Sequence, residues 1–466
     1  MGWGGANNTG AVTSEPLTTD PGVAENSFDA IVIGAGIFGC GITFELARRG
    51  LRVCAVDMNA GPGMGSTSSS GAIIRFSYST VDGVRLAWEG NQYWERFAEY
   101  LETDEHRHGV AHKVLTGQIM LRTHEDLHQL YVRNLTEAGV PFAELTSAEV
   151  VAQHPYLTVA DFGGPASPDD ERFWAEPSGV IPGALFMPDC GYINDPQLAA
   201  QNLHTAAVAK GAAFCFGARV DELLLADDGA SVAGVRLRAK GEKPATTIHA
   251  PIVVNVGGPW SSAVNKIAGL ENSMTIQTRP MRHEAHLAPA PDGLDFEADG
   301  TIVGDLDQGM YFRPATGNNI FVGSTDPECD GHEWVEDMDN LNREVTEPIW
   351  SRQMMRVAKR VPGFGVPHTR QGLAEAYDVS TDWGPIYDRT DLDGFFVAIG
   401  TSGNQFKNAC VASHLMGELI TAVGNGHDHD ADPLLVHGRF TGTPIDMGAF
   451  SRNRVVNADS TNSVMG

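Results

Sequence analysis

The sequence carries little positive charge for its length. Its 466 residues include 32 Lys and Arg against 59 Asp and Glu, which gives a formal net charge of −27 at pH 7. Such a surface repels phosphate backbones and anionic membranes at long range, so we expect neither nucleic acid nor a membrane as a partner. An anionic ligand has to be held by local cations that overcome this field. Each cation inside an apolar segment is therefore informative.

Cysteines and long apolar runs are also scarce. The 6 cysteines form no CxxC pair, and several lie in apolar segments, which predicts reduced core residues of a cytoplasmic protein, with no disulfide framework and no metal site. No run reaches the roughly 18 apolar residues that a membrane-spanning helix needs. Residues 1–26 are polar and lack a basic segment, which predicts a disordered lead-in and no export.

The segment from Phe28 to Asp57 has the pattern of a βαβ unit. It reads FDAIVIGAGIFGCGITFELARRGLRVCAVD, an apolar run, a glycine turn, a helical pattern and a second apolar run. Gly34, Gly36 and Gly39 have GxGxxG spacing, which suits a tight turn, a pyrophosphate approach and close packing of helix on strand. The helix N-terminus would face the phosphates, and Asp57 would accept hydrogen bonds from ribose hydroxyls.

The polar loop that follows distinguishes between two dinucleotides that this motif binds. NAD enzymes usually continue with further βα units, whereas this chain continues with GMGSTSSSGAIIR at 63–75. Its hydroxyl and backbone donors can reach the far side of a flavin dinucleotide, which favours FAD. The alternative for the loop is a flexible Ser/Gly linker.

Arg75 is the only charged residue of the apolar stretch GAIIRFSY, residues 71–78. A guanidinium left without a partner on an apolar strand is strongly unfavourable. It therefore needs an anion, which either a ligand or a carboxylate of the protein could supply.

Four separated blocks resemble the FAD-dependent D-amino acid oxidase superfamily, and within it the branch of sarcosine oxidase and dimethylglycine dehydrogenase. The blocks are GAGIFG with Asp57, GSTSSSGAIIRFSY, VVNVGGPWSS, and AYDVSTDWGPIYDR with FFVAIGTSGNQFK, in the family's order over about residues 28–425. The resemblance implies an α/β fold, α+β overall, in which a Rossmann-like FAD-binding domain joins a substrate domain built on a mixed or antiparallel sheet.

The same resemblance divides the chain into parts. We predict that residues 27–115, 181–265 and 366–430 form the FAD-binding domain and that residues 116–180 and 266–365 form the substrate-binding domain. Residues 431–466 would be a C-terminal tail, which is either available for docking a partner or an ordinary end that is disordered or wraps over the surface.

The glycine motif and the resemblance together assign residues to the cofactor. Where sarcosine oxidases attach flavin through a Cys, this chain has Glu375, and the serines of STSSS stand where dimethylglycine dehydrogenases use a His, so we predict non-covalent FAD. Arg219 stands in the segment that borders the adenine in the family. The predicted FAD-binding residues are Gly34, Gly36, Ile37, Phe38, Gly39, Asp57, Met58, Gly65, Ser66, Thr67, Ser68, Ser70, Gly71, Ala72, Ile73, Val220, Gly257, Gly258, Trp260, Gly372, Gly403, Asn404, Gln405, Phe406 and Lys407.

The resemblance also implies a carboxylate clamp. In the sarcosine oxidase branch, an Arg matching Arg75 and a Lys matching Lys407 bind the substrate carboxylate. Such a clamp fixes a C–H bond next to a neutral amine nitrogen against flavin N5 for hydride transfer, which leaves an imine that water hydrolyses. The alternatives are that Arg75 pairs with a structural Asp and that Lys407 is solvated on a helix surface.

The substrate amine must lose a proton before hydride transfer, so a proton acceptor is needed. Tyr377 resembles a pocket tyrosine of the family and is one candidate. His283 and His286, in RHEAH, are the others, although an alternating strand can turn either of them away. Tyr311 is a further predicted wall of the pocket.

These residues predict a flavoprotein oxidoreductase for a small amino acid or N-alkyl amino acid, acting as a monomer or homo-oligomer with oxygen or another electron acceptor. The family lysine that assists oxygen activation would fall near Phe321, so its loss favours another acceptor. The alternatives are an enzyme for an opine or a carboxylate-free amine, with Arg75 structural, and a flavin-carrying subunit of a larger dehydrogenase.

Overall fold

The structure is a computed structural model that describes residues 26–103, 109–123, 125–239 and 246–466. The strands of these residues are β1 (Ala30–Ile33), β2 (Val53–Asp57), β3 (Ile73–Ile74), β4 (Lys113–Leu115), β5 (Gln118–Leu121), β6 (Ala143–Thr146), β7 (Ala160–Asp161), β8 (Gly179–Val180), β9 (Gly183–Met187), β10 (Gly191–Ile193), β11 (Ala213–Phe216), β12 (Ala218–Leu225), β13 (Val232–Ala239), β14 (Thr246–His249), β15 (Val253–Asn255), β16 (Thr278–Pro289), β17 (Ile302–Asp305), β18 (Met310–Ala315), β19 (Asn319–Ser324), β20 (Glu333–Trp334), β21 (Gly372–Ser380), β22 (Ile386–Arg389), β23 (Phe395–Ile399), β24 (Leu435–His437) and β25 (Pro444–Asp446). The α-helices are α1 (Ile37–Arg48), α2 (Val81–Glu95), α3 (Phe97–Tyr100), α4 (Glu125–Ala138), α5 (Ser147–Gln153), α6 (Pro196–Ala209), α7 (Ser261–Ile267), α8 (Phe296–Asp299), α9 (Glu347–Arg360) and α10 (Ala409–Gly424).

The ends of the chain and the thiols bear on two of the predictions. The predicted disordered lead-in, residues 1–26, lies outside the described residues except for Asn26. Within the described part of the chain, no helix is long and apolar enough to cross a membrane. All 6 cysteines lie in that part as free thiols, and most are buried, but Cys329 is exposed and so is not the core residue that was predicted.

A parallel sheet forms the nucleotide-binding half of the fold. Its strand order is β11-β2-β1-β15-β23-β22, and only the edge strand β22 runs antiparallel. The central strands read as continuous apolar runs because both faces of the sheet are covered. Helix α1 packs against α6 and α10 on one of these faces. The carboxyl ends of β1, β15 and β23 therefore share one edge, where the glycine turns converge.

The first glycine turn fits tightly against its neighbours. Gly34 has φ +113°, and a Cβ there would lie 2.5 Å from the carbonyl oxygen of Val256. A Cβ on Gly39 would lie 1.9 Å from the carbonyl oxygen of Gly34, so only glycine lets α1 start this close to the turn. These contacts are those expected of the first and third positions of the glycine motif.

A second, mixed sheet forms the other half. Its strand order is β20-β16-β19-β18-β17-β5-β9-β6, with β21 paired along β16. Strands β17 and β5 run parallel, and the other pairs are antiparallel. Helix α9 covers one face with Trp350, Met354 and Val357. The predicted mixed or antiparallel sheet of the second domain is thus confirmed.

Two predicted domain boundaries are wrong. Strand β9 was assigned to the FAD-binding domain, yet it pairs with β5 and β6 of the mixed sheet. Strand β21 was assigned in the same way, and it pairs with β16 over 9 residues. Hydrogen-bond partners decide which sheet a strand joins, and those partners are far away in sequence. The chain therefore crosses between the two sheets after β9 and after β21.

Residues 431–466 are also not the tail that was predicted. Strands β24 and β25 form a hairpin, and the buried guanidinium of Arg452 lies between three carboxylates. Its Nη1 lies 3.1 Å from Asp388 and 2.6 Å from Asp430, and its Nη2 lies 2.7 Å from Asp391. Beyond this anchor the chain returns to the interior, where Ser463–Gly466 are buried.

Candidate active site

One cavity runs from the glycine turn after β1 to the faces of β16, β18 and β21. It joins the predicted cofactor residues to the predicted catalytic residues. The predicted residues that line it are Gly34, Gly36, Ile37, Phe38, Gly39, Asp57, Met58, Gly65, Ser66, Thr67, Ser70, Gly71, Ala72, Ile73, Arg75, Arg219, Val220, Gly257, Gly258, Trp260, His283, Tyr311, Glu375, Tyr377, Gly403, Asn404, Gln405, Phe406 and Lys407.

Two predicted cofactor residues do not line this cavity. Ser68 is exposed, and its hydroxyl donates to the carbonyl of Gly65 within the loop. Gly372 is the first residue of β21. It pairs with His286 of β16, and neither residue lines the cavity. The loop conformation turns Ser68 away from the cavity, and the strand register places Gly372 outside it. A motif match reveals neither feature.

The nucleotide end of the cavity has the chemistry that a dinucleotide requires. Helix α1 has Gly36 as its N-cap, so no side chain of the cap occupies its N-terminus. Its first N–H, of Ile37, donates to the Thr67 hydroxyl at 3.0 Å. The Asp57 carboxylate is fixed at the end of β2 by the N–H of Ala35 at 2.6 Å. A helix N-terminus beside hydroxyls and an acid beyond the second strand fit the phosphates and ribose of FAD.

Asp378 holds the other glycine turns together, and the sequence analysis did not identify it. Its Oδ1 accepts from the Ser261 hydroxyl at 2.7 Å, and its Oδ2 accepts from the N–H of Gly400 at 2.7 Å. Burial raises the pKa of this carboxyl to about 6. Asp378 thereby links the turn after β15 to the turn after β23, where both face the cavity. Its only sequence signal is its place in the block AYDVSTDWG.

Arg75 directly follows β3 and is 6% exposed. Its Nη1 donates to the carbonyl of Ser77, and its Nη2 donates to the carbonyl of Val464 at 2.6 Å. The guanidinium also lies over the Tyr78 ring, 4.5 Å from the ring centroid. Within the described residues it makes no ion pair with any carboxylate. Neutral carbonyls therefore orient Arg75, and no carboxylate of the described residues compensates its charge.

Lys407 is the second buried cation of the site, at 2% exposure. Its Nζ donates to the Tyr78 hydroxyl at 2.7 Å and to the carbonyl of Asn404 at 2.6 Å. Burial and the charge of Arg75 hold the pKa of Lys407 well below its usual value. It too has no carboxylate partner in the part of the chain that the structure describes. The alternatives of a solvated Lys407 and of a structural Asp paired with Arg75 are therefore wrong.

The opposite wall carries the predicted histidine and tyrosines. His283 stacks on Tyr377, with ring centroids 4.5 Å apart. Burial raises the pKa of Tyr311 to about 12 and holds the pKa of Tyr377 well above its usual value. Behind His283, its Nε2 lies 3.2 Å from Asp326 Oδ1. His286 projects from the other face of β16 and does not line the cavity.

Asp326 and Arg313 are two more residues that sequence reasoning missed. Asp326 has φ +53°, a left-handed conformation that few residues other than glycine adopt. The Arg313 guanidinium lies between the rings of Tyr192 and Phe321, 4.2 and 4.6 Å from their centroids. Its Nε donates to the carbonyl of Gly71 at 2.9 Å, so it supports the loop that leads to Arg75. Burial lowers the pKa of Arg313 to about 10.

A parallel sheet with converging glycine turns, joined through one cavity to a second sheet, is the architecture of a dinucleotide-binding protein. The sequence profile of the FAD dependent oxidoreductase family, DAO, matches residues 29–419, and the chain belongs to this family. The predictions of the superfamily, of the fold class and of FAD as cofactor are confirmed.

The chain is similar to several known proteins. It is 22% identical over 422 residues to FAD-dependent oxidoreductase domain-containing protein 1 of Bos taurus, covering 84% of this chain and 81% of that protein. It is 25% identical over 414 residues to glycine oxidase of Geobacillus kaustophilus, covering 84% and 92%. The solved L-proline dehydrogenase from P. horikoshii has a TM-score of 0.67 at 23% identity, covering 85% and 94%. That likeness shows the shared fold.

The lining of the cavity predicts that FAD is held without a covalent bond. No cysteine of the described residues lines it, and Glu375 is paired with Arg343 at 3.1 Å. Acid precipitation of the holoenzyme should therefore release all flavin into the supernatant, and the denatured chain should have the mass of the polypeptide alone. A flavin absorbance that stays with the precipitate contradicts the prediction, and peptide mapping would then show whether His283 carries it.

Proposed function

We propose that the protein oxidises the C–N bond of a small amino acid or N-alkyl amino acid. The observation that carries this proposal is the pair of buried cations, Arg75 and Lys407, which share Tyr78 and face the cavity without a carboxylate partner among the described residues. Removing an ion from water costs several kcal/mol, and an anion bound between the two offsets that penalty. A substrate carboxylate is the anion that such a pair recognises best.

The residues around the cavity have separate tasks in this reaction. When bound, FAD supplies the hydride acceptor for the C–H bond next to the amine nitrogen, and water hydrolyses the imine that results. Arg75 and Lys407 bind the carboxylate and so fix which C–H bond is presented. Tyr311 and Tyr377 wall the cavity and keep bulk water from it, which strengthens the electrostatic contacts inside.

His283 is the proton acceptor in this proposal. The raised pKa values of Tyr311 and Tyr377 keep both phenols protonated, so neither is suited to take a proton from the substrate ammonium. His286 is on the wrong face of β16. His283 lines the cavity, and the Asp326 carboxylate 3.2 Å behind it stabilises the imidazolium that forms. Asp326 is thus a positioning residue.

Two observations bear on the alternatives. A flavin-carrying subunit that docks through a free tail is disfavoured, because residues 431–466 are packed into the molecule. Phe321 lines the cavity where the resemblance places an oxygen-activating lysine, and Arg313, which lies against the Phe321 ring, does not line it. An electron acceptor other than oxygen is therefore favoured. We also expect a cytoplasmic location, in keeping with the free thiols.

Replacing Arg75 tests the carboxylate site. In anaerobic stopped-flow measurements, Arg75→Ala should slow flavin reduction by the best amino-acid substrate at least about 100-fold, because a buried charged contact is worth about 3 kcal/mol. FAD content should be unchanged. Arg172→Ala, at a side chain that is 74% exposed, is the matched control. Reduction by Arg75→Ala at the wild-type rate refutes the role.

The role of Asp326 predicts a slower chemical step with unchanged substrate binding. Asn keeps the shape of Asp326 and tolerates φ +53°, but it removes the charge beside His283. The positive charge that forms on His283 as it takes the substrate proton then loses its stabilising partner, so the limiting rate of anaerobic flavin reduction should fall in Asp326→Asn, while the substrate concentration that gives half of this rate stays the same. His283→Asn should lower the limiting rate at least as much. If Asp326→Asn changes only thermal stability, the residue is structural and the assignment is wrong.

A further inference from the structure

The last four residues of the described chain, Ser463–Gly466, are buried and are here called the 463–466 segment. An anchor precedes them: Arg454 pairs with Asp382 at 2.6 Å, and the Asn457 side chain donates to the Ser79 hydroxyl at 2.9 Å. The residues between anchor and segment are exposed or half-exposed. The chain therefore runs along the surface after the anchor and enters the interior again only at residue 463.

The 463–466 segment forms part of the wall of the active-site cavity. The carbonyl of Val464 accepts from Nη2 of Arg75 at 2.6 Å, and Val464 and Met465 are among the residues that line the cavity. A Cβ on Gly466 would lie 2.8 Å from the Tyr78 ring, so this residue lies against the aromatic ring that Arg75 and Lys407 share. The 463–466 segment, which belongs to neither sheet, thus contacts the residues of the proposed carboxylate site.

The chemistry of these contacts separates two roles for the segment. A carbonyl is neutral, so Val464 satisfies one arm of the Arg75 guanidinium without cancelling its charge. Arg75 therefore keeps the positive charge that attracts an anion. A carboxylate in the place of this carbonyl would neutralise that charge. The two apolar side chains, in contrast, take up space beside the carboxylate site. Their effect falls on the part of a substrate that extends from its carboxylate.

We propose that the 463–466 segment is a specificity element that restricts the site to carboxylates with a small substituent. This inference rests on the proposed function only in that both place a carboxylate at Arg75. Val464 and Met465 belong to the main apolar core of the molecule, which favours a fixed wall over a flap that substrate displaces. Met465 then limits size, and Val464 holds the guanidinium in the orientation that the carboxylate meets.

The test uses two unreactive carboxylates, acetate and benzoate, titrated into the FAD-loaded enzyme. Binding is read from the change in flavin absorbance, which requires no turnover. Met465→Ala should raise the affinity for benzoate relative to acetate by at least about tenfold, since a few methylene groups in a pocket are worth that much. A chain ending at Asn462 should raise the ratio further. Val455→Ala, at a residue that is 91% exposed in the preceding segment, should leave it unchanged.

The outcomes distinguish this inference from the proposed function. An affinity ratio within about twofold of wild type in Met465→Ala overturns the inference even if amino acids reduce the flavin, because it is far below the tenfold effect expected. Failure of both carboxylates to perturb the flavin of the wild-type enzyme also overturns it. If the ratio shifts but no amino acid or amine reduces the flavin, the segment is a specificity element and the proposed reaction is wrong. Met465→Ala carries the test if the shortened chain loses FAD.

Discussion

The buried guanidinium of Arg75 is the constraint on which the candidate active site depends. An arginine in this position is stable only if its N–H groups are satisfied and an anion meets its charge. The protein supplies the first through the carbonyls of Ser77 and Val464, which are far apart in sequence. It does not supply the second within the described residues. In the proposed function, the protein supplies the hydrogen bonds of Arg75 and a substrate carboxylate supplies the opposite charge.

The two sheets bring the remaining groups to this guanidinium. Parallel strands collect the glycine turns at one edge, so the cofactor end of the cavity follows from topology. The mixed sheet supplies His283 from β16 and Tyr377 from the adjacent β21, and it supplies Tyr311 from β18, which β19 separates from β16. Asp378 connects the halves, because it stands on β21 and accepts hydrogen bonds from two turns of the parallel sheet. The result is one long cavity that runs from the glycine turn after β1 to Arg75 and Lys407.

The glycine motif and the family resemblance together predicted many of the residues that line the nucleotide end of the cavity. Gly34 and Gly39 are required by contacts within one βαβ unit, and such contacts leave a spacing in the sequence. Arg75 and Lys407 were found through the resemblance, and a cation within an apolar stretch gave an independent signal for Arg75. Strand alternation alone could not choose between His283 and His286. The choice required the register of β16, which depends on strands up to about 100 residues away.

The residues that were missed act over long sequence distances. Asp326 is significant only because a turn places it behind His283, and Val464 only because the chain returns to Arg75 after 389 positions. The two misplaced domain boundaries have the same origin, since β9 and β21 are assigned by their distant partners. A sequence motif reflects contacts between residues that are close together in the chain, as in the βαβ unit. Contacts between distant segments produce no fixed spacing that one sequence could reveal.

The most direct test of the account is anaerobic flavin reduction by pairs of compounds that differ only in the carboxylate. Sarcosine and dimethylamine, glycine and methylamine, and proline and pyrrolidine are such pairs. The account predicts that at least one amino acid bleaches the flavin while its partner amine, at equal concentration and pH, does not. Bleaching by the amines at the same rate as by the amino acids would contradict the central claim that the uncompensated charge at Arg75 binds the substrate carboxylate.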